Sequence, residues 1–207
     1  MIAIVDYGVG NLYSLMCSLR KIGVAAQLAS DAQTLQGASK IILPGVGAFG
    51  DAAQKLREKK LDKAIQGLAQ KDMPVMGICL GMQLLFDKSY EYGEHNGLGL
   101  IGGEIRPLQP LLLESVKIPH MGWNRLDICR EDKLTQKLGK GSFVYYVHSY
   151  AATQCEEACV AVSEYGGVRI PGLVRKGRVC GAQFHPEKSG SVGLAILEAF
   201  ARGADAV

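Results

Sequence analysis

The sequence predicts an α/β fold: a mostly parallel central sheet flanked by helices, with antiparallel strands added to it. Three observations carry that expectation. Short apolar runs alternate with longer helix-patterned segments in the first half of the chain, the rhythm of strand–helix–strand units. From about residue 98 closely spaced strand-like runs replace that rhythm. No Pro- or Ser-rich linker, internal repeat or low-complexity stretch divides the chain, so residues 1–207 read as one domain.

The elements follow in order. Residues 2–5 are an apolar run that reads as a buried strand, and residues 11–22 carry apolar side chains at 12, 15, 16, 19 and 22, a helical stripe. Strands are expected at 24–28 and 40–43, the latter stopped by Pro44-Gly45. Asp51 is placed to cap a helix reaching residue 70, with Leu56, Leu61, Ile65 and Leu68 inward. A strand at 74–78 runs straight into a helix at 80–86. Beyond them, strand-like runs fall at 100–105, 115–118, 143–147, 158–162, 173–175 and 179–184, and a helix at 190–201 follows.

Composition excludes several classes of function. Apolar residues at 48% and charged residues at 21% are ordinary for a globular protein, which sets aside disorder. A net charge of +3 with scattered basic residues leaves no footprint for nucleic acid. No stretch has the ~18 apolar residues of a membrane helix, and the apolar run at 1–5 is too short for a signal-peptide core, so a cytosolic protein is expected. The six cysteines form no framework, and no histidine completes a zinc site around Cys155 and Cys159; neither metal nor cofactor is expected.

One pattern carries chemistry. In Gly77-Ile78-Cys79-Leu80-Gly81 an apolar strand enters and a helical pattern leaves. A nucleophile on such a turn is forced into a strained conformation with its side chain projecting from the sheet edge. The flanking glycines remove the Cβ atoms that would collide at the bend. The helix start offers unpaired N–H groups and a positive dipole end, which favour a thiolate and place the Leu80 N–H to bind an oxyanion. Alone, the spacing is equally open to an inert buried cysteine beside a Gly-rich loop.

A thiolate that attacks an amide needs an acid for the departing amine. Among His95, His120, His148 and His185, only His185 ends an apolar strand and precedes Pro186-Glu187. A residue before proline is extended, and in extended chain residues two apart point the same way, so Glu187 can accept the Nδ1–H of His185. The order Cys, His, Glu suits strands that present their C-terminal ends to one crevice. The Gly-rich segment 44–50, which includes Val46 and Gly47, reads either as a turn before the next helix or as a loop whose N–H groups complete an oxyanion hole beside Leu80. Residues 6–12 hint at a dinucleotide fingerprint, but Tyr13 stands at the third glycine position, so no nucleotide site is expected.

With these residues placed, the chain resembles the class I, triad-type glutamine amidotransferases, and among them the glutaminase subunits of imidazole glycerol phosphate synthase. The resemblance rests on DYGVGNL at 6–12, LPGVGA at 43–48, GICLGMQ at 77–83, PHMGWN at 119–124, YVHSY at 146–150 and QFHPE at 183–187. It implies a flavodoxin-like three-layer fold and hydrolysis of glutamine to glutamate and ammonia through a Cys79 thioester. It implies a (β/α)8 barrel cyclase partner that uses the ammonia in histidine biosynthesis. By position, Val46, Gly47 and Leu80 would form the oxyanion hole. Gly47, Gln83, His148, Ser149 and Tyr150 would hold glutamine. Asn11, Met121, Gly122, Trp123 and Asn124 would face the partner. Trp123 is also readable as a core residue.

Overall fold

The computed structural model describes residues 1–203. Its centre is an eight-stranded sheet. Five strands are parallel: β1 (Ile2–Val5), β2 (Ala26–Ala29), β3 (Lys40–Gly45), β4 (Val75–Cys79) and a late strand, Val179–Ala182, here β14. The order runs β2-β1-β3-β4-β14 and continues antiparallel through Val168–Lys176 (β13), Cys159–Tyr165 (β12) and Asp127–Ile128 (β9). The inner parallel strands β1, β3, β4 and β14 are buried along their length because helices cover both faces, whereas β2 at the edge is only partly buried.

On one face Ile2, Ile4, Ile42, Met76 and Ile78 pack against α1 (Leu12–Lys21) and the last helix, α6 (Gly190–Gly203), through Leu15, Leu19, Ile196, Leu197 and Phe200. On the other, Val5, Leu43 and Val75 meet α2 (Ala32–Gln36), α3 (Phe49–Glu58), α4 (Leu61–Ala69) and α5 (Leu80–Leu84) through Leu35, Phe49, Leu56, Leu61, Ile65 and Leu80. No described helix is long and apolar enough to cross a membrane.

Two smaller sheets sit beside this core. One pairs β8 (His120–Arg125) with β10 (Phe143–His148). The other joins β5 (Lys88–Ser89), β6 (His95–Asn96), β7 (Glu104–Pro107) and β11 (Tyr150–Thr153).

Several expectations are corrected. The helix expected from Asp51 to residue 70 is two helices, broken where Lys60 takes a left-handed conformation at φ 57°. Asp51 is not its cap: Ala48 holds that place, and the Phe49 N–H is met by Glu91 Oε2 at 2.6 Å, from 42 residues away. The strand expected at 115–118 is irregular chain, and the ladder begins at His120 instead. The run at 100–105 pairs only from Glu104, because Gly102 and Gly103 carry the chain through a bend first.

Candidate active site

The C-terminal ends of the parallel strands meet at one place. Gly45, the last residue of β3, is in register with Cys79, the last of β4, and Ala182 is in register with Ile78. The chain leaving β14 therefore carries Gln183 and His185 just past the elbow. Cys79 sits at φ 54°, ψ −112°, a conformation that costs a non-glycine residue on the order of 1–3 kcal/mol. Two glycines permit it: a Cβ on Gly77 would lie 2.5 Å from the Gly81 carbonyl oxygen, and one on Gly81 would lie 1.8 Å from that of Leu43. The helix begins at Leu80 with Cys79 as its N-cap and no side chain capping it.

His185 Nδ1 lies 2.8 Å from Glu187 Oε1, with the two side chains 3% and 4% exposed. Burial disfavours an imidazolium here, but the hydrogen-bonding and charge of Cys79 and Glu187 outweigh it and raise the pKa to about 10. His185 Nε2 and Glu187 Oε2 are buried without a hydrogen bond of regular geometry, unused polar capacity of a kind concentrated at working sites. The backbone around His185 is clamped: its N–H donates to the Tyr145 carbonyl at 2.9 Å, and Ser189 Oγ donates to its carbonyl at 2.6 Å.

A cavity of about 260 Å³ opens beside the thiol, lined by Val46, Gly47, Cys79, Leu80, Gln83, Glu91, Val147, His148, Ser149, Tyr150 and His185. Every residue that the resemblance assigns to the substrate or the oxyanion hole is therefore at this one place. Gln83 uses both its amide N–H groups, on the Tyr150 carbonyl at 3.1 Å and on Gln183 Oε1 at 3.0 Å, which leaves its own oxygen as the free acceptor. Two residues were not found by sequence reasoning. Glu91 lies in a loop with no periodic signal, and burial raises its pKa. Gln183, fully buried, places Nε2 3.9 Å from Cys79 Sγ; its position one residue past β14 was the available clue.

The residues assigned to a partner are split. On β8, Met121 and Trp123 point outward, 59% and 56% exposed, with Trp123 edge-on to Tyr145 at 6.2 Å. Gly122 lies between them with φ 120° and only partial exposure. Asn124 points inward: its Nδ2 lies 3.1 Å from His120 Nε2 and donates to the Glu164 carbonyl at 2.8 Å. The alternation of a strand separates the two sets. Asn11 caps α1, its Oδ1 accepting from the Ser14 N–H at 3.3 Å, and lines a small recess with His185 and Glu187.

His120 and His148 are held neutral. Burial lowers His120 to about 4 and His148 to about 3, the latter also through the neighbouring imidazole charges. A base whose folded pKa lies below its unfolded value takes up protons first in the unfolded chain, so stability is lost as pH drops from the unfolded value towards the folded one. Urea unfolding is expected to show a loss of roughly 2 kcal/mol per histidine between pH ~6.5 and ~4.5, above the main carboxylate range. A flat profile there would contradict the neutral pair.

The family model described as glutamine amidotransferase class-I matches residues 3–203. The chain is 46% identical over 200 residues to "Imidazole glycerol phosphate synthase subunit HisH" of Oceanobacillus iheyensis, covering 97% of this chain and 98% of that one. It is 44% identical over 199 residues to the HisH subunit of Lactococcus lactis, covering 96% of each. Among solved structures, the chain of "Structure of PurLQS from Thermotoga maritima" aligns with TM-score 0.75 at 22% identity over 96% of both chains, a likeness of fold. The protein belongs to the class I glutamine amidotransferases. Within that class it belongs to the HisH family, the glutaminase subunits of imidazole glycerol phosphate synthase.

Proposed function

We propose that the chain, as a single domain, hydrolyses glutamine at Cys79 and passes the ammonia to a (β/α)8 barrel cyclase, which makes imidazole glycerol phosphate in cytoplasmic histidine biosynthesis. The observation that carries this reading is the meeting of a strained Cys79, His185 and its Glu187 partner at the mouth of a small cavity.

In this reaction the Cys79 thiolate attacks the side-chain amide carbon. The amide π electrons move to oxygen, which the N–H groups of Leu80 and of the Val46-Gly47 loop would meet. His185 gives its proton to the amide nitrogen as the C–N bond breaks, releasing ammonia and leaving a thioester. Water then attacks the thioester with His185 taking a proton, and glutamate leaves as Cys79 is restored. Glu187 accepts the Nδ1–H throughout and fixes the tautomer. Glu91, a half-buried carboxylate on the cavity wall, suits the ammonium group of a free amino acid. Outward Met121 and Trp123 supply the apolar anchors of a partner face, with Asn11 near its edge.

A subunit that released ammonia without its acceptor would waste glutamine, so the gate is assigned to the 44–50 segment, with the partner as its trigger. Of that segment the structure leaves only residues 46–48 as a loop between β3 and α3. Glutamate release should be measured for the chain alone and with the cyclase and its nucleotide. Release that depends on the partner is the expected result. Equal turnover alone would refute the gate, and no turnover in the complex would refute the function.

A further inference from the structure

Behind the cavity wall runs a hydrogen-bond chain whose protons have one allowed arrangement. His148 Nδ1 lies 2.8 Å from the Tyr150 carbonyl, which has no proton to give, so Nδ1 carries the hydrogen. A neutral imidazole then has Nε2 as an acceptor. His120 Nδ1, 3.0 Å away, must donate to it, and His120 Nε2 must in turn accept from Asn124 Nδ2 at 3.1 Å. The Tyr150 carbonyl at the end of this chain also accepts from Gln83 Nε2 at 3.1 Å, so two residues of the cavity wall depend on its position.

The chain is built rather than incidental. His120 is 2% exposed and stacked between Tyr146 and Tyr165, with ring centroids at 4.5 and 4.0 Å. His148 is directly opposite His120 in the β8–β10 ladder. Both rings are kept uncharged by burial, which is what a one-way chain needs, since a second proton on either would set two donors face to face.

We propose that His120 and Asn124 are positioning residues for glutamine binding, which fix the wall formed by Gln83, His148 and Tyr150 through this chain. The proposal rests on the reading that the cavity holds glutamine. It gives the β8 segment two roles on alternate faces: Met121 and Trp123 outward, His120 and Asn124 inward, behind the cavity wall.

His120→Phe keeps the aromatic stack and removes both nitrogens, whereas His120→Asn keeps a donor at the Nδ1 position. In the complex with the cyclase, His120→Phe should raise KM for glutamine about tenfold and leave kcat within about twofold, with ammonia-fed synthesis unchanged. His120→Asn should recover most of that loss. An unchanged KM, or a fall carried by kcat alone, overturns the proposal. Should His120→Phe not fold, Asn124→Leu carries the same comparison. Independently of any activity, nitrogen-15 spectra of the wild-type imidazoles should show both His120 and His148 as Nδ1–H tautomers at neutral pH. Either ring found as Nε2–H, or charged, overturns the chain. A wild-type complex without glutaminase activity would instead overturn the functional reading and leave the spectra to judge the chain.

Discussion

Cys79→Ser will abolish glutamine-dependent synthesis by the complex and leave ammonia-fed synthesis intact. The substitution removes one sulfur and adds one oxygen at a position 6% exposed, so the elbow and its glycines are undisturbed. What changes is the nucleophile. A thiol yields its proton to a neighbouring base near neutral pH; a hydroxyl in the same place does so far less readily and is a poor nucleophile until it has. The Cys79 and Glu187 side chains both raise the His185 pKa, and exchange of the thiol for a hydroxyl withdraws one of those two supports. The expected loss is on the order of 10⁴-fold or more in kcat with glutamine, the scale seen when a member of a nucleophile–base unit is removed. Cyclisation takes place on the partner and needs only ammonia, so ammonium salts should restore the product. Loss of both activities would mean that Cys79 supports the structure of the complex instead.

What could be read in the sequence was what local chemistry determines. The inner parallel strands are largely apolar runs because both faces are covered, and the elbow declares itself through glycines two residues on either side of Cys79. His185 was legible because the proline after it keeps it extended. Its meeting with Glu187 comes from a 3-10 turn at Pro186–Lys188, and not from the continued extended chain that the sequence suggested. The β8 strand was misplaced for a physical reason. In it the large apolar residues Met121 and Trp123 face solvent, while His120 and Asn124 face inward, so the usual polarity of a strand is inverted. The periodicity that finds strands assumes that apolar residues point to the core. The break at Lys60 has no Gly or Pro to announce it, and Glu91 reaches the start of α3 only through the tertiary path of the chain. The second is a contact between segments distant in sequence. Contacts of that kind form the cavity, which is why its wall was located by resemblance and its Glu91 by the structure alone.

Gly81→Ala will be among the most destabilising single substitutions available to this chain. The added Cβ would stand 1.8 Å from the Leu43 carbonyl oxygen and 2.7 Å from its carbonyl carbon. These are backbone atoms of β3, which is paired along its length with β4, so no side-chain rotation relieves the clash. Either β3 moves off β4, opening a fully buried core, or the elbow unwinds and Cys79 leaves its place. The cost is expected to exceed roughly 4 kcal/mol, a large share of the 5–15 kcal/mol typical of a folded domain. Gly67 gives the control. It lies within α4 at an ordinary helical conformation, and a Cβ there meets nothing within 4 Å. Gly67→Ala should therefore stabilise the protein by about 0.5–1 kcal/mol, since alanine favours the helix and restricts the unfolded chain. Urea denaturation of the two variants beside the parent measures both at once, with shifts of opposite sign expected. A mild effect at Gly81 would mean that β3 and the elbow can separate without loss of the core, and the strained Cys79 conformation would then not be held by the packing of Gly77 and Gly81 against the neighbouring strand.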